Sequence, residues 1–393
     1  PAQQVPVLRP DDLVSDVVRR LTEEPGRAVV MGGPDGAELV GLLSSTDLSR
    51  ALEAAPLRTG GRQPSRAGAV VGAVVAAAVV LVAAVLYHPP YVVVAPGRAI
   101  DVRGDITIAG VPQQRPTGPF LLASVELTRP NALVLLADAF RTDREVVPMA
   151  GVLPYGFGPE ELEDLQRRLF RDSRETAAVA AARAAGYDAS LRGDGAEVLG
   201  LVPGSPAAEV LETGDTVTGV DGSPVSTLDD LQAALARHPV GDTVSLQVER
   251  DGRTLARDVT NAGLPQVTGG TSIGALAATK DLEAVLPFTI RFRERPELGG
   301  PSAGLAYALA ITDALDRGDD AWGRSVAATG TIAADGSVGP VGAVPEKALV
   351  ASEAGADVLL VPAGELPPAD HRQVRLHGVD DLAQALDVLA RSR

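Results

Sequence analysis

Apolar and polar positions are distributed very unevenly along the chain. From Ala67 to Tyr87 no residue is charged, and Ala and Val dominate. At about 1.5 Å per residue, such a run coiled as a helix matches the ~30 Å apolar thickness of a bilayer. This predicts a transmembrane helix over 67–87. The polar linker before it, 58–66, carries Arg58, Arg62 and Arg66, whereas His88-Pro89-Pro90-Tyr91 follows its far end. Basic residues on one flank place residues 1–66 in the cytoplasm and everything after Tyr87 outside.

The remaining patterns alternate between periods of two and 3.6. In 1–57, a short strand precedes an amphipathic helix with Leu13, Val17, Val18 and Leu21 on one face. Strand, Pro-Asp-Gly turn, strand and helix follow. In 88–187, YVVVAPGRAIDV, DITIAG and FLLASVELTR read as strands, and a long helical stretch runs from about Pro159 to Ala185. In 188–263, Gly204-Ser205-Pro206 opens a short helix and Asp221-Gly222 turns a strand. Leu228 to Arg237 is a second helix, and Asp251-Gly252 makes a final hairpin. In 264–393, strands around Thr271–Leu276 and Phe288–Arg293 precede an apolar helix that ends near Asp316. A hairpin turning at Asp335-Gly336, a helix from Pro345 to about Ala354, a strand and a closing helix complete the chain. The whole predicts a multidomain α/β (α+β) protein.

Composition narrows the chemistry. The 393 residues carry a net charge of −16, which argues against nucleic acid as a partner. With no cysteine, thiol catalysis, disulfides and cysteine-ligated metals are excluded. No His/Asp/Glu cluster has metal-ligand spacing, and no Gly-x4-Gly-Lys-Ser/Thr phosphate loop occurs, so no cofactor and no ATPase motor are expected in this chain. The chain opens at Pro1 rather than Met, so an upstream part is expected to have been lost or removed. Lysine is the informative count: 33 of the 35 basic residues are Arg, leaving Lys280 and Lys347. Guanidinium stays protonated in proteins, whereas a buried ammonium can give up its proton.

That contrast points to Lys347, near the start of a helix, where dipole and desolvation both disfavour the charged form. The nucleophile it would serve is Ser302. Pro301 fixes the backbone at a helix start after Gly299-Gly300, which puts Ser302 in the first turn. The unpaired N–H groups there, around Gly300, Pro301 and Ala303, suit a forming oxyanion. Each residue alone is ordinary, since Ser after Gly-Pro often only caps a helix and Glu-Lys is often a solvated pair.

Together, GGPSAGLAYALAITDAL and ATGTIAADGSVGPVGAVPEKALVASEAGADVLLVP resemble the proteolytic domain of Lon peptidases. The resemblance implies Ser302 as nucleophile, Lys347 as base and Thr329 as a residue orienting the pair. The chain departs from ATP-dependent members at Leu298-Gly299-Gly300 and at Thr331, variants that look like a membrane-anchored branch joining a PDZ module to the Lon-type domain. Residues 188–263 resemble a PDZ domain of the bacterial protease type, which implies a peptide groove in Val198-Leu199-Gly200-Leu201 and along Leu228, Leu231 and Leu235. Those leucines also fit plain core positions. Residues 1–57 resemble a single CBS repeat, with Gly41, Ser44 and Asp47 in its pattern. Asp313, Asp316 and Glu346 are read as solvated.

The expected protein is a membrane-anchored, ATP-independent serine endopeptidase acting on unfolded or flexible protein segments, with the PDZ module recruiting substrates or partners. Its oligomeric state is open, a homo-oligomer included. Strands of the 88–187 region are expected to join the peptidase sheet, with the PDZ module inserted. The rival reading is a catalytically inert, membrane-tethered PDZ scaffold.

Overall fold

The computed structural model describes residues 7–8, 27–32, 38–44, 66–113, 118–138, 141, 144–149, 159–264, 271–315, 323–366 and 374–391. The chain divides into two compact units, 1–77 and 78–393. In the first, β1 (Val7–Leu8) runs parallel to β2 (Arg27–Gly32), which pairs antiparallel with β3 (Glu38–Ser44). Helix α1 (Arg66–Leu86) contains the division between the units. The expected helix over Leu13–Leu21 and the CBS position Asp47 lie outside the described residues.

The expected transmembrane helix corresponds to α1. Its side chains are described continuously only from residue 72, and nearly all are solvent-exposed, Val79 at 63% and Leu86 at 72% among them. Among the described residues, no helix is long and apolar enough to cross a membrane.

In the second unit, strand β4 (Tyr91–Asp101) opens a sheet, and β5 (Ile106–Ala109) turns away from it. Strand β6 (Phe120–Thr128), helix α2 (Ala132–Asp138) and strand β7 (Glu145–Pro148) follow. The long helix is α3 (Pro159–Ala184), one continuous element. Its alanine run from Ala177 to Ala182 is fully buried, because small side chains let it lie close to its neighbours. Next come β8 (Ser190–Arg192) and β9 (Ala196–Leu201). Helix α4 (Pro206–Val210) starts at Ser205, whose hydroxyl accepts the Ala208 N–H. Strands β10 (Thr216–Val220) and β11 (Ser223–Pro224) precede α5 (Leu228–Leu235), which begins in a capping box between Thr227 and Asp230. The hairpin is β12 (Thr243–Arg250) and β13 (Arg253–Thr260).

After it come β14 (Ala275–Thr279), β15 (Glu283–Val285) and β16 (Thr289–Phe292). A 3-10 turn, Pro301–Ala303, leads into α6 (Gly304–Leu315). Strands β17 (Val326–Ala328), β18 (Thr331–Ile332) and β19 (Val338–Gly339) precede α7 (Val344–Glu353). Strands β20 (Val358–Pro362) and β21 (Arg375–Val379) and helix α8 (Leu382–Arg391) end the described chain.

Two sheets organise the unit. One has the order β21-β20-β17-β6-β4-β7, so strands from 88–187 and strands from beyond 323 share a single layer. Strands β6, β17, β20 and β21 are mutually parallel, and β4 runs antiparallel to both β6 and β7. Buried on both faces, β17 and β20 read as continuous apolar runs rather than alternations. The other sheet, β13-β12-β10-β9-β14, is antiparallel throughout. The strand expected around Thr271–Leu276 in the catalytic half therefore lies slightly later and belongs to the PDZ-region sheet. It pairs with β9, 74 residues earlier in the chain, a partnership that local patterning does not encode. Asp313, read as solvated, is 1% exposed on α6, while Asp316 lies outside the described residues.

Helix α6 is buried nearly all round and touches β18 where Gly304 faces Ile332. A Cβ at Gly304 would stand 2.7 Å from Ile332 Cγ2 and 3.1 Å from the Ile332 nitrogen. Gly304→Ala must push the helix start that follows Ser302 off the hairpin. It is expected to cost about 1–3 kcal/mol, read as a lower urea midpoint with an unchanged denaturant slope.

Candidate active site

Ser302 sits half-buried in the 3-10 turn. Gly300 has φ +87°, a backbone region open to glycine, and its N–H donates to the Gln166 carbonyl of α3 at 2.8 Å. This removes Gly300 and Pro301 from the expected oxyanion donors. The Gly300 N–H is committed and Pro301 has none, so donors at this helix start come from Ser302 onward. Gly300 and Pro301 shape the turn, and Ala303, 2% exposed, packs it into the core.

The turn docks on the end of β17. Gly330 donates its N–H to the Ser302 carbonyl at 3.0 Å, and Leu305 donates to the Gly330 carbonyl at 3.0 Å. Thr329, fully buried, donates its N–H to Leu360 of β20 at 3.0 Å, and its hydroxyl reaches the Ser302 carbonyl at 3.4 Å. The Lys347 Nζ lies 3.1 Å from that same hydroxyl. Thr329 therefore joins the strand, the serine turn and the lysine. Among the described residues, no hydrogen bond runs directly between the Ser302 hydroxyl and the Lys347 amine.

Lys347 lies in the first turn of α7, which starts from Ala343 in the left-handed region at φ +58°. Its side chain is 3% exposed. Burial pushes its pKa down from the usual lysine value to about 8, while the carboxylates of Glu365 and Glu346 partly oppose the shift. Glu365 also accepts the Val341 N–H at 2.9 Å, fixing the loop before α7. Neither Glu365 nor Gln166 stands out in the sequence, because each acts through folded proximity alone.

A second layer holds the approach to Ser302. Arg295 grips the buried Asp105 carboxylate at 2.7 and 3.0 Å, and the Tyr307 hydroxyl of α6 donates to it at 3.3 Å. The Arg174 guanidinium lies between the rings of Phe170 and Phe292 and donates to the Arg293 carbonyl at 2.8 Å. These contacts immobilise the segment from Phe292 to Gly300.

Ser302 and Lys347 line one open cleft of about 620 Å³. Its walls are mostly apolar, with Val94, Leu127, Leu165 and Leu276 among them and Glu145 as an acid. A neighbouring hollow of about 410 Å³ is lined by the same two residues, together with Phe170 and Arg295. His88, His238 and His377 line neither, and His371 lies outside the described residues.

Several of the residues expected to line a peptide groove are internal. Strand β9, which holds Val198-Leu199-Gly200-Leu201, is internal: β10 pairs along one edge and β14 along the other. Leu231 and Leu235 are 1% and 0% exposed in the core of that region, while Leu228 is partly buried. The outermost strand beside α5 is β14, and Leu228 donates its N–H to Thr279 Oγ1 at 2.9 Å.

Residues 170–260 match the PDZ domain family, and residues 296–389 match the Lon protease (S16) C-terminal proteolytic domain. A segment of 103 residues is 35% identical to Lon protease 1 of Herpetosiphon aurantiacus, covering 24% of this chain and 12% of that protein. Another of 93 residues is 38% identical to the Lon protease of Heliobacterium modesticaldum, covering 22% and 11%. The chain thus spans about a tenth of the length of these curated relatives. The crystal structure of the PDZ domain of an SdrC-like protein from Listeria monocytogenes is 27% identical, covering 21% of this chain and 87% of that one, with a TM-score of 0.19. Its counterpart from Listeria innocua is 26% identical over 21% and 93%, with a TM-score of 0.20. The domain assignment rests on the family matches and not on these superpositions. The chain carries a PDZ domain and a Lon-type C-terminal proteolytic domain, and the latter indicates a serine peptidase.

Proposed function

We propose that the chain is a membrane-anchored serine endopeptidase that works with a Ser302–Lys347 dyad and cleaves unfolded or flexible protein segments without needing ATP. The observation that carries this reading is a single one. A buried lysine amine with a depressed pKa is hydrogen-bonded through Thr329 to the serine turn, and both residues open into the same cleft. In its neutral form Lys347 takes the Ser302 hydroxyl proton as the oxygen attacks the peptide carbonyl. The resulting ammonium returns that proton to the leaving amine, and water then hydrolyses the acyl-serine. N–H groups from Ser302 onward, with the helix dipole behind them, stabilise the tetrahedral oxyanion.

Membrane anchoring is supported by the uncharged run 67–87 of the sequence, which α1 covers through Leu86. It is uncharged from Ala67 through Leu86, and its side chains described from residue 72 onward are nearly all exposed rather than packed against other described residues. The arginines ahead of it favour an extracytoplasmic peptidase. Alkaline carbonate extraction should leave the full chain in the membrane pellet and release a variant lacking 67–87. Release of the full chain would remove the anchor from this account.

Ser302→Ala and Lys347→Arg should each lower kcat/KM on an unfolded protein substrate by at least ~1000-fold with the fold retained, because the always-charged guanidinium cannot act as base. Full turnover in Lys347→Arg would eliminate lysine as base. In the wild type, kcat/KM should rise with pH and level off above about 8, as Lys347 deprotonates. Labelling of wild type but not Ser302→Ala by a fluorophosphonate separates this reading from an inert scaffold.

The same amine sets a stability profile. Its folded pKa, about 8, lies below the ordinary value of 10.5, so between those limits the unfolded chain binds the extra proton. The cost of Lys347 to folding is therefore complete below pH 8 and fades as pH approaches 10.5. Lys347→Met should be more stable than wild type at pH 7, by roughly 3 kcal/mol, and the gap should close near pH 10.5 in denaturant titrations.

A further inference from the structure

Part of the cleft wall around Ser302 and Lys347 is built by the PDZ-region sheet. Leu276 and Ala277, in the middle of β14, line the same cavity as those two residues. Strand β14 ends its sheet, with β9 along one edge and no strand beyond the other among the described residues. The ladder between β9 and β14 is irregular between Leu276 and Ala277, where β9 has one more residue than its partner. Such bulges bend and twist a strand and re-aim its side chains.

The position of this strand is tied to helix α3. Arg168 of α3 donates from one guanidinium nitrogen to Glu197 of β9 at 2.6 Å and from the other to the Thr279 carbonyl of β14 at 2.8 Å. Helix α3 also supplies Leu162, Leu165 and Leu169 to the cleft and holds the Gly300 turn through the Gln166 carbonyl. One helix thus sets the spacing between the serine turn and β14. Leu276 is partly exposed, whereas its neighbours in β14 are buried, so it is the residue of this strand that presents apolar surface to the cavity.

We infer that Leu276 is a specificity-determining residue of the peptidase, and that the PDZ-region strand β14 forms one side of the substrate site. The preferred substrate is an extended segment carrying a bulky apolar side chain close to the scissile bond, packed against Leu276 and its apolar neighbours. This rests on the peptidase reading given above. An apolar wall discriminates between side chains by size, and a difference of a few methylene groups translates into tens- to hundreds-fold selectivity.

The test uses the full chain and paired unstructured peptides that differ only in having Leu or Ala beside the cleaved bond. In wild type the Leu peptide should be favoured in kcat/KM by at least ~10-fold. Leu276→Ala should cut that ratio by about tenfold, chiefly through KM, and Leu276→Glu should shift preference toward a peptide with Arg at that position. Labelling of Ser302 by a fluorophosphonate is followed in parallel. An unchanged Leu/Ala ratio in both variants, with Ser302 still labelled, overturns the inference and leaves the peptidase reading standing. Loss of labelling together with all turnover in both variants also overturns it, since Leu276 would then serve the fold. If wild type itself is neither labelled nor active, the peptidase reading fails, and this inference fails with it.

Discussion

Burying an amine without burying its charge is the constraint on which this site depends. A lysine at 3% exposure is stable only if it sheds its proton or finds a compensating anion. Here the carboxylates of Glu365 and Glu346 lean toward the charged form, yet burial prevails, and the pKa settles at about 8. The balance leaves an amine that is partly neutral near physiological pH. The only hydrogen bond from its Nζ within the described residues goes to Thr329, a neutral hydroxyl that tolerates both protonation states. A carboxylate in place of that hydroxyl would restore the charge.

The surrounding architecture follows from the need to bring this amine to the serine turn. Strand β17 delivers Thr329 from the centre of a sheet whose neighbours β6 and β20 run parallel to it. Gly330 then lets the serine turn approach closely: a side chain there would meet Val338 and Leu305. Gly304 does the same on the helix side against Ile332. The glycines flanking the serine and following the threonine thus answer to steric contact, and Gly300 answers to a positive φ.

How much of this was legible in the sequence depended on the distance over which each feature acts. The helices bearing Ser302 and Lys347, the Asp335-Gly336 hairpin and the span of α3 all rest on local periodicity and turn chemistry, and they appear where the pattern put them. Lys347 stood out because so few lysines remain in an arginine-rich chain. That β9 is internal was not legible, because Val198–Leu201 has the composition of any half-buried strand and its pairing with β14 is remote in sequence. Asp313 was misread for a similar reason: its helix is covered on almost every face, which an isolated acidic residue in the sequence cannot reveal. Arg168 is one arginine among many until the fold sets it between two strands.

The PDZ-region sheet is joined to the rest of the unit by two adjacent strand pairs. The chain passes into it through β8 and β9 and leaves through β14 and β15, and these form the adjacent pairs β8–β15 and β9–β14. A single flexible linker would let the two domains reorient independently, whereas a two-stranded connection braced by Arg168 resists bending and twisting together. Strand β15 continues into β16, which pairs with β5. The next residues carry the Arg293 and Arg295 anchors and then the Gly299-Gly300 turn. Strand β14 therefore has a short route along the chain to the backbone that holds Ser302.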